Sequence, residues 1–321
     1  MPATLDSIAQ SVGQAATEIT WQQWGAIGAQ TNDARPHHQA AIDPEALLLM
    51  SLALLEHERR LADVITSWVA LNSGLLSVQR ARNLGPAFPP SVQQGLSAVA
   101  TIAVREGKDF RWRSVLPPDE DSSLGARSGK VRAQQPPFLT TATLILQLRQ
   151  GMGVGVKSDV LAFLLTCDGH GQEWASTTAM ARALGYTSAA VRRNADELAI
   201  ARFIRRMESV DSEQAAARMY MAEPANWGAP LHLGNIQQGW RYWRERFTFM
   251  ADVLDTNRSL AAAGASEFAI SVACKELCDK HRTALTRDTG LSRGALDDQP
   301  DGLLALNTAS RLLIEWMRNN P

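Results

Sequence analysis

The segment AMARALGYTSAAVRR, residues 179–193, has the pattern of two short helices joined by a tight turn. Ala181 is small enough for another helix to cross it closely, and Gly185 stands where a helix end often needs a positive φ angle. Thr187 can accept a hydrogen bond from the first amides of the helix that follows. The segment therefore predicts a helix-turn-helix whose second helix runs from Ser188 to about Ala201.

The second helix of this pair has one apolar face and one polar face. Val191, Ala195 and Leu198 share one side at spacings of four and three residues, so we expect them to be buried. The opposite side carries Ser188, Ala189, Arg192, Arg193 and Asp196. Small side chains allow close approach to the bases of a DNA major groove, and arginine reaches phosphates or the paired acceptors of guanine. The polar face is therefore a candidate DNA-reading surface.

The flanking sequence completes the element order of a winged helix. Upstream, a short helix is predicted by Val160, Leu161, Leu164 and Leu165. Downstream, residues 203–207 and 218–221 predict two strands around a polar tip at residues 208–214. The candidate DNA-binding residues are Thr187, Ser188, Ala189, Arg192, Arg193 and, on the wing, Arg205, Arg206 and Arg218. Between positions 176 and 222, seven arginines stand against five acidic residues, so the segment is modestly basic.

Four pieces of this region carry a family resemblance: Met180–Leu184, Gly185–Thr187, Val191–Arg193, and Glu197-Leu198 leading into Ala201–Ile204. Through them the region resembles the winged helix-turn-helix superfamily of bacterial regulators, which includes MarR-like and ArsR-like repressors. The resemblance covers about one fifth of the chain. It implies DNA binding by the helix at Ser188 and by the wing at Arg205 and Arg206. The family usually has Gly at the turn entering the wing, where this chain has Ala201-Arg202.

The remaining sequence predicts helical regions on both sides of the winged segment. Residues 1–113 form a helical N-terminal domain, in which Asp43-Pro44 begins a helix. Residues 114–137 are rich in Pro, Ser and acidic side chains and predict an exposed linker or mobile loop. The winged domain spans residues 138–228, and residues 229–321 form a helical C-terminal domain for assembly or partner binding. The expected fold class is mainly α, with a small β-hairpin in the central domain.

Composition excludes several classes of protein. The 321 residues are 45% apolar and 20% charged, which is typical of a globular chain and excludes disordered and collagen-like chains. The net charge of −1 means that DNA binding must come from a local patch. Three cysteines favour a reducing compartment. The first residues lack a basic segment with an apolar core, and the longest apolar run, Ala46–Leu55, is too short for a bilayer, so we expect a soluble cytoplasmic protein.

A second, weaker pattern involves sulfur and imidazole side chains. Cys274, Cys278 and His281 are spaced so that they share one helical face, and Cys167 with His170 forms another short pair. Thiolate and imidazole are zinc ligands, so a metal site or thiol sensor is one interpretation. The alternative is that the cysteines are small apolar core residues, because cysteine is among the most buried residue types. We expect no cofactor.

The aromatic residues Trp240, Trp243 and Phe247 recur at helical spacing between arginines. This spacing favours inward packing or a subunit interface, and the helix is our candidate for assembly. Aromatic and basic residues in alternation can also stack on single-stranded bases, which is the less favoured alternative.

Signatures of enzymes are missing from the sequence. Gly151–Ser158 superficially suggests a phosphate-binding loop, but Val156 separates the last glycine from Lys157. The backbone amides of the loop and the ammonium of Lys157 therefore cannot converge on one phosphate in the usual way. The Gly-x-Ser-x-Gly and His-Glu-x-x-His signatures do not occur. We therefore do not expect an enzyme.

These observations predict a bacterial-type transcriptional regulator, a repressor that binds double-stranded DNA. A homo-oligomer is expected, since one recognition helix buries too little surface to select an operator. The alternative is a protein-interaction subunit or antitoxin-like component of a toxin, defence or chromosome-associated complex. Its partner would come from the same operon, and the winged domain would dock that protein or bind DNA without sequence specificity.

Overall fold

The computed structural model is mainly helical, with 71% helix and 3% strand, which confirms the predicted fold class. It describes residues 4–30, 40–116, 133–167, 174–207, 218–228, 230–231, 240–297, 299 and 301–320. Most of the predicted linker and the predicted tip of the wing lie outside the described residues.

The N-terminal region is a bundle of α-helices: α1 (Leu5–Ala26), α2 (Pro44–Ala53), α3 (Leu61–Asn72), α4 (Val78–Leu84) and α5 (Ser91–Arg105). Short 3-10 helices occur at Ser73–Leu75, Gly85–Ala87 and Phe110–Val115. The predicted start of α2 is present, because Asp43 accepts a hydrogen bond from the amide of Ala46 and Pro44 is the first helical residue. This cap uses one oxygen of Asp43 and leaves the other for a second partner.

Helix α2 is the central element of this bundle. Its residues from Pro44 to Leu52 are buried, and it packs against α1, α3, α4, α5 and a C-terminal helix. A helix that is apolar on every side is expected to lie inside a core. In the described part of the chain, no single helix is both long and apolar enough to cross a membrane; the segments Leu61–Leu75 and Val78–Ala87, bent by 119°, pass that test only as a pair.

The central region begins with a 3-10 turn at Thr141–Thr143 and continues as α6 (Leu144–Met152), α7 (Val156–Thr166), β1 (Ala175–Ser176), α8 (Thr177–Leu184), α9 (Ser188–Ile200), β2 (Arg205–Arg206) and β3 (Met219–Met221). The strands form an antiparallel sheet in the order β1-β3-β2, with Tyr220 opposite Ala175 on one side and Arg206 on the other. This is the element order of a winged helix. Strand β1 was not predicted, because two residues are too short to show a periodicity.

The turn between α8 and α9 has the predicted local chemistry. Gly185 ends α8 with φ 72°, and the hydroxyl of Thr187 accepts from the amide of Ala190 at 3.2 Å. A Cβ added at Gly185 would overlap the end of the Leu84 side chain of α4, which would have to move, and the positive φ angle itself favours glycine. At the entry to the wing, Arg202 has φ 62°, a left-handed angle that glycine adopts more easily.

The C-terminal region is helical as well: α10 (Pro224–Trp227), α11 (Trp243–Ala263), α12 (Glu267–Lys280), α13 (Arg282–Thr286), α14 (Arg293–Asp297) and α15 (Gly302–Asn319). Helix α11 packs on α1 and α2, and α15 packs on α1 and α12. The buried apolar side chains of all three regions belong to one cluster. The C-terminal helices therefore pack back onto the N-terminal bundle and share its core.

Candidate nucleic-acid interface

Helix α9 is held from behind by apolar contacts. Val191, Ala195 and Leu198 are buried, and the helix packs against α7 and α8. Removing such side chains from water is the main favourable contribution to the position of this helix. The apolar side of α9 is thus committed to the core, which leaves its opposite side for solvent or a ligand.

The outer face of α9 presents the predicted recognition residues. Its exposed side chains include Thr187, Ser188, Ala189, Arg192 and Arg193. Neither Arg192 nor Arg193 forms an ion pair or hydrogen bond with a described residue. The amino-terminal end of α9 also carries the partial positive charge of the helix dipole. This face therefore has donors and positive charge available for an anionic ligand.

The predicted wing arginines are in a different electrostatic state. Arg206 lies 3.3 Å from a carboxylate oxygen of Asp196, and Arg218 pairs with the other oxygen of the same group. Arg205 lies 2.6 Å from Glu223. Partial burial raises the pKa of Asp196, but hydrogen bonds from Tyr220 and Arg206 outweigh it and hold the pKa below its ordinary value. Asp196 is therefore ionised at neutral pH and offsets much of the wing's positive charge.

The carboxyl end of α9 leads into an apolar surface. Ile200 is 80% exposed, and Phe203 and Met207 are each close to half exposed. The ring of Phe203 meets Trp227 of α10 edge to face, with centroids 5.5 Å apart, and the Trp227 indole donates to the Phe203 carbonyl at 3.2 Å. Large apolar side chains in such a position are more typical of a protein contact than of a phosphate contact.

Five charged side chains form a cluster inside the protein, which we call the buried ionic cluster: Asp43, Glu45, Arg80, Arg149 and Asp159. Arg80 donates to Asp43 at 2.6 Å and to Glu45 at 2.5 Å. Arg149 donates to Glu45 at 2.7 Å and to Asp159 at 2.8 Å. The members come from α2 and its cap, α4, α6 and α7, so the cluster joins the N-terminal bundle to the winged region.

The buried ionic cluster also holds the turn of the helix-turn-helix. The hydroxyl of Tyr186 donates to Asp159 at 2.8 Å, and Arg80 donates to the carbonyl of Leu184 at 2.7 Å. Burial raises the pKa of Asp159, but the charge and hydrogen bonds of Arg149 outweigh it and lower that pKa below its ordinary value. Burial, together with the charge of Asp159, raises the pKa of Tyr186. The turn into α9 is therefore fixed to the rest of the protein by hydrogen bonds to charged groups.

Sequence reasoning missed this cluster, although one signal was present. Glu45, Arg149 and Asp159 each interrupt an apolar run, at PEALLLM, LILQLRQ and KSDVLAFLL. A charged residue inside an apolar segment is almost never fully buried unless it is paired. The pattern indicates buried partners, but it does not show which residues pair across the fold.

The aromatic residues predicted for assembly are buried in the hydrophobic core. Trp240, Trp243 and Phe247 are buried, and the rings of Trp243 and Phe247 stack with centroids 5.4 Å apart. Trp240 packs edge to face on Phe163 of α7, and the Trp243 indole donates to the carbonyl of Ala41 at 3.2 Å. Their side chains contribute to the core and have almost no surface to offer a second subunit.

The two cysteines of the predicted sulfur site lie in the hydrophobic core. Cys274 and Cys278 are buried, and burial raises the pKa values of their thiols to about 11 and about 12. His281 is directed at Asp252, with its Nε2 atom 2.6 Å from a carboxylate oxygen. His170, the partner predicted for Cys167, lies outside the described residues. Within the described ranges, no three or more His, Cys, Asp or Glu side chains are grouped as a metal ion would need.

Comparisons of this chain with protein-family models, with curated proteins and with solved structures find no match in any of the three.

Proposed function

We propose that this protein binds double-stranded DNA as a transcriptional regulator, with α9 inserted into a major groove. The observation that carries the proposal is the state of Arg192 and Arg193, which are exposed and form no hydrogen bond or ion pair with a described residue. The charge of Arg193 also acts on Glu197 one turn away, but neither guanidinium is held by a hydrogen bond or ion pair, so both are suited to phosphates and to guanine edges.

The dimensions and surface chemistry of α9 support the same function. Its 13 residues extend over about 20 Å, which suits a rod lying in a groove. Ser188 and Ala189 are small and exposed at its leading end, so backbone and bases can approach closely. Operator selection by such a helix requires two copies on successive turns of DNA, so the active form in this proposal is a homo-oligomer that represses by covering a promoter.

The proposal is tested by measuring retention of a labelled duplex that carries the protein's own upstream region. The Arg192→Ala/Arg193→Ala variant is expected to bind more weakly, and the slope of log affinity against log salt should fall by up to about 1.8 in magnitude, at about 0.9 per lost phosphate contact. A matched control is Arg258→Ala/Arg311→Ala, which removes a partly exposed arginine from α11 and an exposed arginine from α15. Equal retention and equal salt slope for the two double variants would exclude major-groove insertion of α9.

A second candidate function is protein docking by the winged region. It is favoured by the exposed side chains of Ile200, Phe203 and Met207 and by the pairing of the wing arginines with Asp196 and Glu223. In this case, the product of a neighbouring gene should co-purify with the wild type and with Arg192→Ala/Arg193→Ala. Association should be lost in Ile200→Glu. A partner that is retained by Ile200→Glu would exclude this surface as the contact.

A further inference from the structure

Three arginines converge on one carboxylate beside the helix-turn-helix, and we call this group the arginine cluster. Arg182 of α8 lies 3.3 Å from Oε1 of Glu245, and Arg244 lies 3.8 Å from the same atom. Arg287 lies 3.3 Å from Oε2 of Glu245, and its guanidinium stacks on the ring of Tyr242 at 3.5 Å. The cluster therefore brings together α8, α11 and the segment after α13.

The charges of this cluster are out of balance. Glu245 is 10% exposed, and neither of its carboxylate oxygens accepts a hydrogen bond from any residue in the described ranges. Three guanidinium groups thus share one loosely held carboxylate. Partial burial lowers the pKa of Arg244; the charges of Glu245 and Asp43 oppose this shift, and those of Arg80 and Arg182 add to it. A second anion would restore the charge balance and satisfy donors that Glu245 leaves unused.

The position of the cluster relates it to α9. Arg182 is on the outer side of α8, with 56% of its side chain exposed. A guanidinium nitrogen of Arg244 lies 3.9 Å from the place that a Cβ would take on Gly185, in the turn that leads into α9. When a helix-turn-helix binds DNA, the helix before the recognition helix crosses the sugar-phosphate backbone. The arginine cluster therefore adjoins the turn into α9 and includes a residue of the helix that would cross the backbone.

A cleft of about 190 Å³ opens at the same place and gives an anion access. It is lined by Arg182, Arg244 and Glu245, and by Lys280 and His281 from the far side. Lys280 and His281 are both paired with Asp252, at 2.6 Å each, so they are occupied by a carboxylate of their own. Arg182 and Arg244 are therefore the lining cations that share a counter-ion with other arginines.

We propose that Arg182 and Arg244 bind a backbone phosphate of the duplex whose major groove is read by α9, so that C-terminal helix α11 belongs to the DNA-binding surface. This inference rests on the proposed function. Glu245 keeps the guanidinium groups together in the free protein, and the phosphate adds a second anion when DNA is bound. The contact is independent of base sequence, because phosphates are the same at every position.

The test uses the full chain and the same labelled duplex over a range of KCl concentrations. The Arg182→Gln/Arg244→Gln variant is expected to lower the magnitude of the salt slope by about 0.9, because both side chains bind the same phosphate. Arg244→Lys, combined with native Arg182, should keep a slope close to that of the wild type because the positive charge remains. The matched control is Arg258→Gln/Arg311→Gln, in which position 258 lies about 21 Å from position 244 along α11, at 1.5 Å per residue.

The outcomes separate this inference from the proposed function. If Arg192→Ala/Arg193→Ala weakens DNA binding while Arg182→Gln/Arg244→Gln behaves as its control, the cluster is not a DNA contact and the proposed function stands. If only the second variant weakens binding, the cluster binds DNA and the assignment of α9 fails. A wild-type chain that does not bind the duplex overturns both.

Two further measurements keep the result decisive. The single variant Arg182→Gln changes an exposed side chain, so it should fold normally even if the double variant does not, and it is expected to lower the slope by up to about 0.9. Calorimetric titration with inorganic phosphate distinguishes the source of the anion. Phosphate binding that Arg182→Gln/Arg244→Gln abolishes, with DNA binding unchanged, would replace the duplex by a small phosphate compound and overturn the inference.

Discussion

The outer face of α9 and the buried ionic cluster both depend on arginine, but in opposite ways. Arg192 and Arg193 are exposed and form no hydrogen bond or ion pair with a described residue, whereas Arg80 and Arg149 are buried and donate to carboxylates on several sides. Free donors on a surface are available for a ligand, while fully paired donors in the core are fixed by the fold. Arginine side chains are therefore available for a ligand on the outer face of α9, whereas in the buried ionic cluster they hold the fold together.

The largest effect is expected where the core arginine is removed. Arg149→Ala leaves Glu45 and Asp159 buried with fewer partners, and loss of one member of such a pair typically costs about 3–5 kcal/mol. Arg192→Ala should change stability by less than about 0.5 kcal/mol, because the side chain is exposed. Urea unfolding of both variants measures the difference. Equal free energies of unfolding for these two variants would show that the distinction between the two regions does not hold.

A smaller effect is expected at the turn that connects the two regions. Tyr186→Phe removes a hydrogen bond to the buried carboxylate of Asp159, which is worth about 1.5–3 kcal/mol. The affinity of the variant for DNA should fall as well, by an amount that depends on how far the turn before α9 becomes disordered. Chemical denaturation measures the change in the free energy of unfolding, and retention of the labelled duplex measures the change in DNA binding. A variant as stable as the wild type would mean that this hydrogen bond does not hold the turn.

The same contact predicts a dependence of stability on pH. The pKa of Asp159 is lowered in the folded protein, so its contribution is present above the ordinary value of 3.8 and is lost as pH falls through the folded pKa. The pKa of Tyr186 is raised, so its contribution is complete below the ordinary value of 10.0 and is lost as pH rises towards the folded pKa. Thermal melting across pH should show both losses. Tyr186→Phe should reduce the alkaline loss and leave the acidic loss.

The smallest effect is expected on the exposed side, at the entry to the wing. Arg202 adopts a left-handed backbone angle, which costs a residue with a side chain about 1 kcal/mol relative to glycine. Arg202→Gly is therefore expected to stabilise the protein by up to about 1 kcal/mol, while Ala201→Gly, at an ordinary helical angle, should destabilise it. Thermal melting of the pair measures the sign. Destabilisation by both substitutions would show that the Arg202 side chain makes a favourable contribution greater than its backbone cost.

Local features of the winged region could be predicted because local interactions produce them. The glycine at 185, the cap at Thr187 and the apolar spacing of Val191 and Leu198 act within a few residues, and the structure has all of them. The absence of glycine at Ala201-Arg202 was also visible in the sequence, and it coincides with the positive φ angle of Arg202. These are properties that neighbouring residues establish without help from distant ones.

The electrostatic state of each arginine could not be predicted in the same way. Asp196 was predicted to lie on the polar face of α9, but its pairing with Arg206 and Arg218 depends on how the strands return to this helix. The burial of Trp240 and Trp243 depends likewise on the packing of α11 against α1 and α2. Spacing alone leaves a core and a subunit interface equally possible, because both bury an apolar stripe.

The sequence alone was sufficient to predict the helical character of the chain, its helix-turn-helix and the outward face of α9. These features follow from hydrogen bonds and apolar spacing over short distances along the chain. The pairing of Arg80, Arg149 and Glu45, and the meeting of Arg182 with Arg244, required the folded arrangement of distant segments. Charges interact through space and not along the chain, so partners that are tens of residues apart become neighbours only after the core has formed.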